Sequence, residues 1–150
     1  EGPALAVGRG ERITPLKPFP ALSGKGLLLI HPGFGVSTSW AYRNLSRYPD
    51  ALNGRPGRAV SLIKRLESND IGNATDAFYN SLEAPVLPRH PLLSIYQNFL
   101  RENGALVTMM SGSGSTTFAI TANQDSAAET ERRFRSRFGA SAWTYTTCFA

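Results

Sequence analysis

A single cysteine, Cys148, stands among 150 residues, so no internal disulfide framework can form. One thiol suits a reducing compartment, and its place in an apolar, strand-like run gives it a packing role. Histidine is nearly as scarce. His31 and His90 lie far apart, without Cys or His neighbours at metal-ligand spacing, which leaves a structural zinc site unsupported. No apolar run approaches the ~20 residues that cross a bilayer. A polybasic tail is also missing: the net charge is +5, with a pI near 9.8, but basic residues are scattered from Arg9 to Arg137. The opening stretch, Glu1-Gly2-Pro3-Ala4-Leu5-Ala6-Val7, has neither a basic n-region nor a long apolar core, and no initiator methionine precedes it. It is expected neither to address nor to anchor the chain, and a start directly in strand-like sequence suggests a piece of something longer.

What is present is ordinary for a globular domain with a core, at 41% hydrophobic and 18% charged residues. The most informative stretch is Met110-Ser111-Gly112-Ser113-Gly114-Ser115-Thr116, a small-residue loop framed by two strand-like runs, Ala105–Met110 and Thr116–Thr121. Glycine permits positive φ and close backbone approach, so successive N–H groups can face one concavity and hold a phosphate, with serine hydroxyls as further donors. A plain hairpin turn is the competing reading of the loop taken alone.

In chain order, residues 3 to 16 read as a hairpin turning at Gly8-Arg9-Gly10-Glu11, and Lys17 to Lys25 as a proline-broken connection. Gly26 to His31 is a continuous apolar run ended by Pro32-Gly33, expected to be a central strand buried on both faces. Hydroxyl residues Ser37, Thr38 and Ser39 can cap a helix through Trp40, Ala41, Tyr42 and Leu45. Asp50 to Pro56 is loop-like, and Ala59, Leu62, Ile63 and Leu66 carry helical spacing. Glu67-Ser68-Asn69-Asp70 is expected to cap a helix through Ala77, Phe78 and Leu82, stopped by Pro85 and Pro88. A helix after Pro91 presents Leu92, Ile95, Tyr96, Phe99 and Leu100 as its core face and ends at Asn103-Gly104. Beyond the loop come a helix from about Asp125 or Ser126 to Phe138, capped by Gly139, and a strand through Trp143–Phe149. Its arginines (Arg132, Arg133, Arg135, Arg137) suit water and the negative end of the helix dipole.

From Gly26 the order β, several α, β, β, α, β is that of an α+β, ferredoxin-like split βαβ unit with extra helices in its first crossover. It predicts a four-stranded antiparallel sheet with helices on one face and leaves the opening hairpin outside.

Four segments then agree with one family. They are Ala4 to Glu11 with Thr14-Pro15-Leu16, His31-Pro32-Gly33 with Val36-Ser37-Thr38, Ser68-Asn69-Asp70, and Met110 to Thr116. In that order they resemble the C-terminal part of the 4-diphosphocytidyl-2-C-methyl-D-erythritol kinases, small-molecule kinases of the GHMP superfamily in the non-mevalonate (MEP) route of isoprenoid and terpenoid biosynthesis. The resemblance implies residues 1–24 as trailing strands of an absent N-terminal kinase domain and residues 25–150 as the GHMP kinase C-terminal domain. It implies a transferase that moves the ATP γ-phosphoryl group to the 2-hydroxyl of the cytidine-diphosphate-linked methylerythritol with Mg²⁺, in a bacterial cytoplasm or a plant plastid.

Carried over residue by residue, Gly112, Ser113, Gly114 and Ser115 match the motif beside the nucleotide phosphates, with Ser115 where family members often have proline. Thr38 and Tyr42 match the hydroxyl and the aromatic ring that hold the cytosine. Asn69-Asp70 matches a signature that often continues with an acidic residue where Gly72 stands, and reads chiefly as a cap. The lysine and aspartate that act at the reacting hydroxyl match nothing here. No catalytic residue, metal ligand, nucleic-acid partner or membrane partner is therefore assigned, and the fragment alone is expected to be inactive. A freestanding ferredoxin-like binding or regulatory module is the alternative. RNA binding is a further rival, weakened because paired aromatic motifs on central strands are missing.

Overall fold

The computed structural model describes residues 2–8, 10–52 and 57–150. Arg9 of the first turn and residues 53–56 of the loop-like stretch lie outside them. Strands β1 (Ala4–Val7) and β2 (Arg12–Pro15) pair antiparallel as a separate two-stranded sheet.

The main sheet contains β3 (Gly26–His31), β4 (Val107–Met110), β5 (Thr117–Thr121) and β6 (Trp143–Cys148) in the order β4-β5-β3-β6. Every pair is antiparallel, with Leu28 opposite both Ala119 and Thr146. This is the expected ferredoxin-like arrangement, with β3 in the interior. Helices α1 (Thr38–Leu45), α2 (Pro49–Leu52), α3 (Arg58–Leu66), α4 (Glu83–Arg89) and α5 (Pro91–Glu102) fill the first crossover, and α6 (Gln124–Phe138) fills the second.

Side chains alternate across a strand, so Leu28, Ile30 and Ala119 face α5 and α6. There they join Tyr96, Leu100, Ala127 and Phe134 in one buried cluster. Phe134 lies 4.7 Å from the Tyr96 ring and 4.8 Å from that of Phe138, contacts that each add about 1 kcal/mol beyond simple burial.

Several expectations need correction. First, β3 is not buried equally on its two faces: Gly26, Leu28 and Ile30 are buried, whereas Leu27, Leu29 and His31 are only partly so. Helices are also not confined to one face. Near β4 and β5, Leu66 of α3 and the 3₁₀ turn at Ile71–Asn73 pack with Leu27, Val107 and Ile120, while toward β6 the same face leaves Trp143 and Tyr145 exposed.

Second, Asp70 caps a 3₁₀ turn rather than a helix through Leu82, its Oδ1 accepting from Gly72 N–H at 2.8 Å. A second 3₁₀ turn follows at Thr75–Ala77, and α4 starts only at Glu83. Third, the prolines do not stop that helix. Pro85 lies in its first turn, where N–H groups have no helical partner to lose, and Pro88 lies inside it.

Fourth, the core face of α5 is turned from the expected one. Leu93, Tyr96, Gln97 and Leu100 are buried, while Leu92 and Ile95 are exposed. Counting apolar residues misplaces the stripe because one of its members is polar. Fifth, Cys148 is exposed, because it is the last residue of edge strand β6, opposite Gly26, which brings no side chain to cover it.

Candidate functional site

Antiparallel pairing of β3 with β5 ends with Ile30 opposite Thr117, bringing the carboxyl end of β3 beside the glycine loop. His31 Nδ1 lies 3.3 Å from Thr116 Oγ1 and 3.5 Å from Ser115 Oγ. The chain then runs through Pro32-Gly33 to Ser37, whose side chain accepts from Trp40 N–H and caps α1. Thr38 therefore sits in the first turn of that helix, and its hydroxyl is 2.7 Å from the Ser113 hydroxyl. Two segments separated by 75 residues meet there.

Tyr42 lies one turn beyond Thr38 on the same side of α1, because residues four apart are neighbours on a helix surface. Ala41 and Leu45 take the buried side, and Tyr42 is 62% exposed. It is thus an open ring on α1 rather than a core aromatic.

The loop closes with Ser111 N–H donating to Thr116 O at 2.8 Å and Gly114 N–H to Ser111 O at 2.9 Å. Gly112 and Gly114 have φ of 56° and 86°, the conformations that require glycine. The backbone N–H groups of Gly112, Ser113 and Ser115 have no intramolecular hydrogen-bond partner among the described residues. Three uncommitted donors and the Ser113 hydroxyl in one loop make a chemically suitable cradle for phosphate oxygens. The Ser115 hydroxyl differs from its expected use: the side chain is 1% exposed and donates to Phe34 O, so it pins the loop to the β3–α1 connection.

Sequence reasoning missed two residues that hold this loop from behind. Asn80 Nδ2 donates to both Met110 O and Gly112 O at 2.8 Å, and its Oδ1 accepts from Leu82 N–H at 3.0 Å. Glu83 Oε1 accepts from Met110 N–H at 2.6 Å and from Gln97 Nε2 at 2.7 Å. The usable signal was Asn80-Ser81-Leu82-Glu83, a capping-type spacing hidden by the supposed longer helix. Asn69 and Asp70, by contrast, make no hydrogen bond to the loop among the described residues.

Two segments thus converge at the carboxyl end of β3, on a sheet of split βαβ order. The family profile of the GHMP kinases C terminal matches residues 59–140, and the chain belongs to that family. Its relatives include the 4-diphosphocytidyl-2-C-methyl-D-erythritol kinase of Pelotomaculum thermopropionicum, 37% identical over 134 residues, covering 89% of this chain and 45% of the relative. The kinase of that name from Clostridium perfringens is 40% identical over 121 residues, covering 79% and 39%. The chain thus spans less than half the length of these curated relatives. Among solved structures, a 4-(cytidine 5'-diphospho)-2C-methyl-D-erythritol kinase superposes with a TM-score of 0.68 at 25% identity, covering 98% of this chain and 50% of that one. Homoserine kinase from Cytophaga hutchinsonii shares the fold, with a TM-score of 0.69 at 23% identity over 91% of this chain and 44% of that one.

Proposed function

We propose that this chain is the C-terminal part of an ATP-dependent kinase that phosphorylates the 2-hydroxyl of 4-diphosphocytidyl-2-C-methyl-D-erythritol, a cytoplasmic bacterial enzyme of isoprenoid synthesis. The observation that carries the reading is the 2.7 Å approach of Thr38 to Ser113, which joins the segment bearing Tyr42 to the glycine loop. In this reading residues 25–150 form the domain and the β1–β2 hairpin belongs to an N-terminal neighbour.

Tyr42 stacks on the cytosine, and Thr38 offers it a hydroxyl. Stacking suits a planar base, and an exposed ring makes it without rearranging the core. The uncommitted N–H groups of Gly112, Ser113 and Ser115 receive ATP phosphate oxygens. Phosphoryl transfer depends chiefly on positioning and on neutralising charge, and fixed backbone dipoles serve both ends. Mg²⁺ fits this chain less well. The described residues hold no group of three or more His, Cys, Asp or Glu suited to a metal, so in this reading the ion accompanies the nucleotide.

The test is ADP release by the complete polypeptide, including the residues upstream of Glu1, with ATP, Mg²⁺ and the cytidylyl acceptor. Acceptor-dependent release by that protein and none by residues 1–150 alone is expected. Turnover by the fragment alone would show that the chemistry lies within it, and no turnover by the complete protein would remove the assignment.

A further inference from the structure

We infer that Asn80 and Glu83 are positioning residues for ATP: at the entrance of the glycine loop Asn80 fixes the Met110 and Gly112 carbonyls and Glu83 the Met110 N–H, so that the loop's N–H groups, not its oxygens, meet the nucleotide phosphates. The inference rests on the kinase reading above and concerns how its phosphate loop is held.

A loop that cradles an anion has a specific difficulty. Each peptide brings a carbonyl dipole as well as an N–H, and a carbonyl turned toward a phosphate repels it. Here the two oxygens of greatest concern, Met110 O and Gly112 O, both accept from one side-chain amide, Asn80 Nδ2, at 2.8 Å. That amide is itself held, because Asn80 Oδ1 accepts from Leu82 N–H. The arrangement uses both donor and acceptor ends of one asparagine, which neither aspartate nor leucine can reproduce.

Glu83 completes the clamp by taking Met110 N–H, the donor just outside the cradle. The same carboxylate oxygen is braced by Gln97, which is 2% exposed, and Gln97 Oε1 in turn accepts from Arg101 at 3.1 Å. A buried glutamine costs stability unless its amide is satisfied, so its place on the core face of α5 is explained by this chain of bonds. The line Arg101, Gln97, Glu83, Met110 thus ties the loop to the longest helix of the first crossover. Free N–H donors remain at Gly112, Ser113 and Ser115, all after Met110 in sequence.

The experiment uses the complete polypeptide and separate Michaelis constants for ATP and for the cytidylyl acceptor. Asn80→Ala is expected to raise the KM for ATP about tenfold or more while that for the acceptor moves less than about twofold. Glu83→Ala should act in the same direction. Glu83→Gln keeps an oxygen for Met110 N–H and should return the KM for ATP to within about threefold of wild type. If Asn80→Ala does not fold, the Glu83 pair decides. Equal changes in both constants, or none in folded Asn80→Ala and Glu83→Ala, would overturn the inference while leaving the kinase assignment intact. Absence of wild-type turnover would instead count against the assignment itself.

Discussion

The hydroxyls of Thr38 and Ser113 stand 2.7 Å apart, one in the first turn of α1 and the other at the tip of the β4–β5 loop. Neither strand pairing nor helix packing requires that contact, so its removal should be felt in function more than in folding. In the complete kinase, Thr38→Val and Ser113→Ala are each expected to lower kcat/KM. A double-mutant cycle should show coupling of about 1 kcal/mol, since one hydrogen bond is shared. Strict additivity would mean that the two segments act independently.

Tyr42 offers a cleaner separation of binding from stability. Its ring is largely exposed, so Tyr42→Ala should shift unfolding free energy by no more than about 0.5 kcal/mol. Loss of a stacked base should raise the KM for the cytidylyl acceptor about tenfold, roughly 1.4 kcal/mol, and leave that for ATP nearly unchanged. Equal effects on both constants would refute the stacking role.

Much of this was legible in the residues, and the reasons differ by element. Strong local signals survived: Ser37 does cap α1, and Gly139 at φ 78° follows α6. The strand order followed because few topologies accommodate β, α, β, β, α, β. What stayed hidden was polar burial. Gln97 belongs to the core stripe of α5 only because Glu83 receives its amide, and no apolar periodicity reveals that. Local spacing could point to Asn80 as a cap but not to its hold on the loop, because those partners are carbonyls some thirty residues away, set by tertiary structure. Ser115 looked like a phosphate donor in one dimension, and folding directed its hydroxyl to Phe34 O.

The two glycines of the loop should respond unequally to alanine. At Gly112 an added Cβ meets nothing within 4 Å, so Gly112→Ala costs only the left-handed backbone, about 1–2 kcal/mol. At Gly114 the same Cβ would also lie 2.5 Å from Met110 Sδ, a buried side chain with little room to retreat. Gly114→Ala should therefore be the more destabilising in chemical denaturation. It should also raise the KM for ATP more strongly, because relief of the clash moves the loop.

The rotated face of α5 can be tested by a pair of truncations. Leu93 is fully buried with Val86 and Met110, so Leu93→Ala should cost about 2–5 kcal/mol. Ile95 is 51% exposed, and Ile95→Ala should cost less than about 1 kcal/mol. Urea denaturation curves distinguish the two, and a reversal would restore the face that apolar counting predicted.

Tyr96 gives the fold an alkaline limit whose sign can be worked out. Burial raises its phenol above the usual value, because the charged form would lose its water. The unfolded chain therefore releases this proton more readily than the folded one. The associated stability is fully present below the ordinary phenol value of about 10 and is lost progressively as pH climbs through the raised folded value. Tyr96→Phe keeps the ring among Phe134 and Phe138 but has no proton to release. Melting temperatures of the wild type should fall relative to Tyr96→Phe above about pH 10, with a constant difference between pH 7 and 9. Parallel curves across the whole range would show that the Tyr96 phenol titrates alike in the folded and unfolded chains.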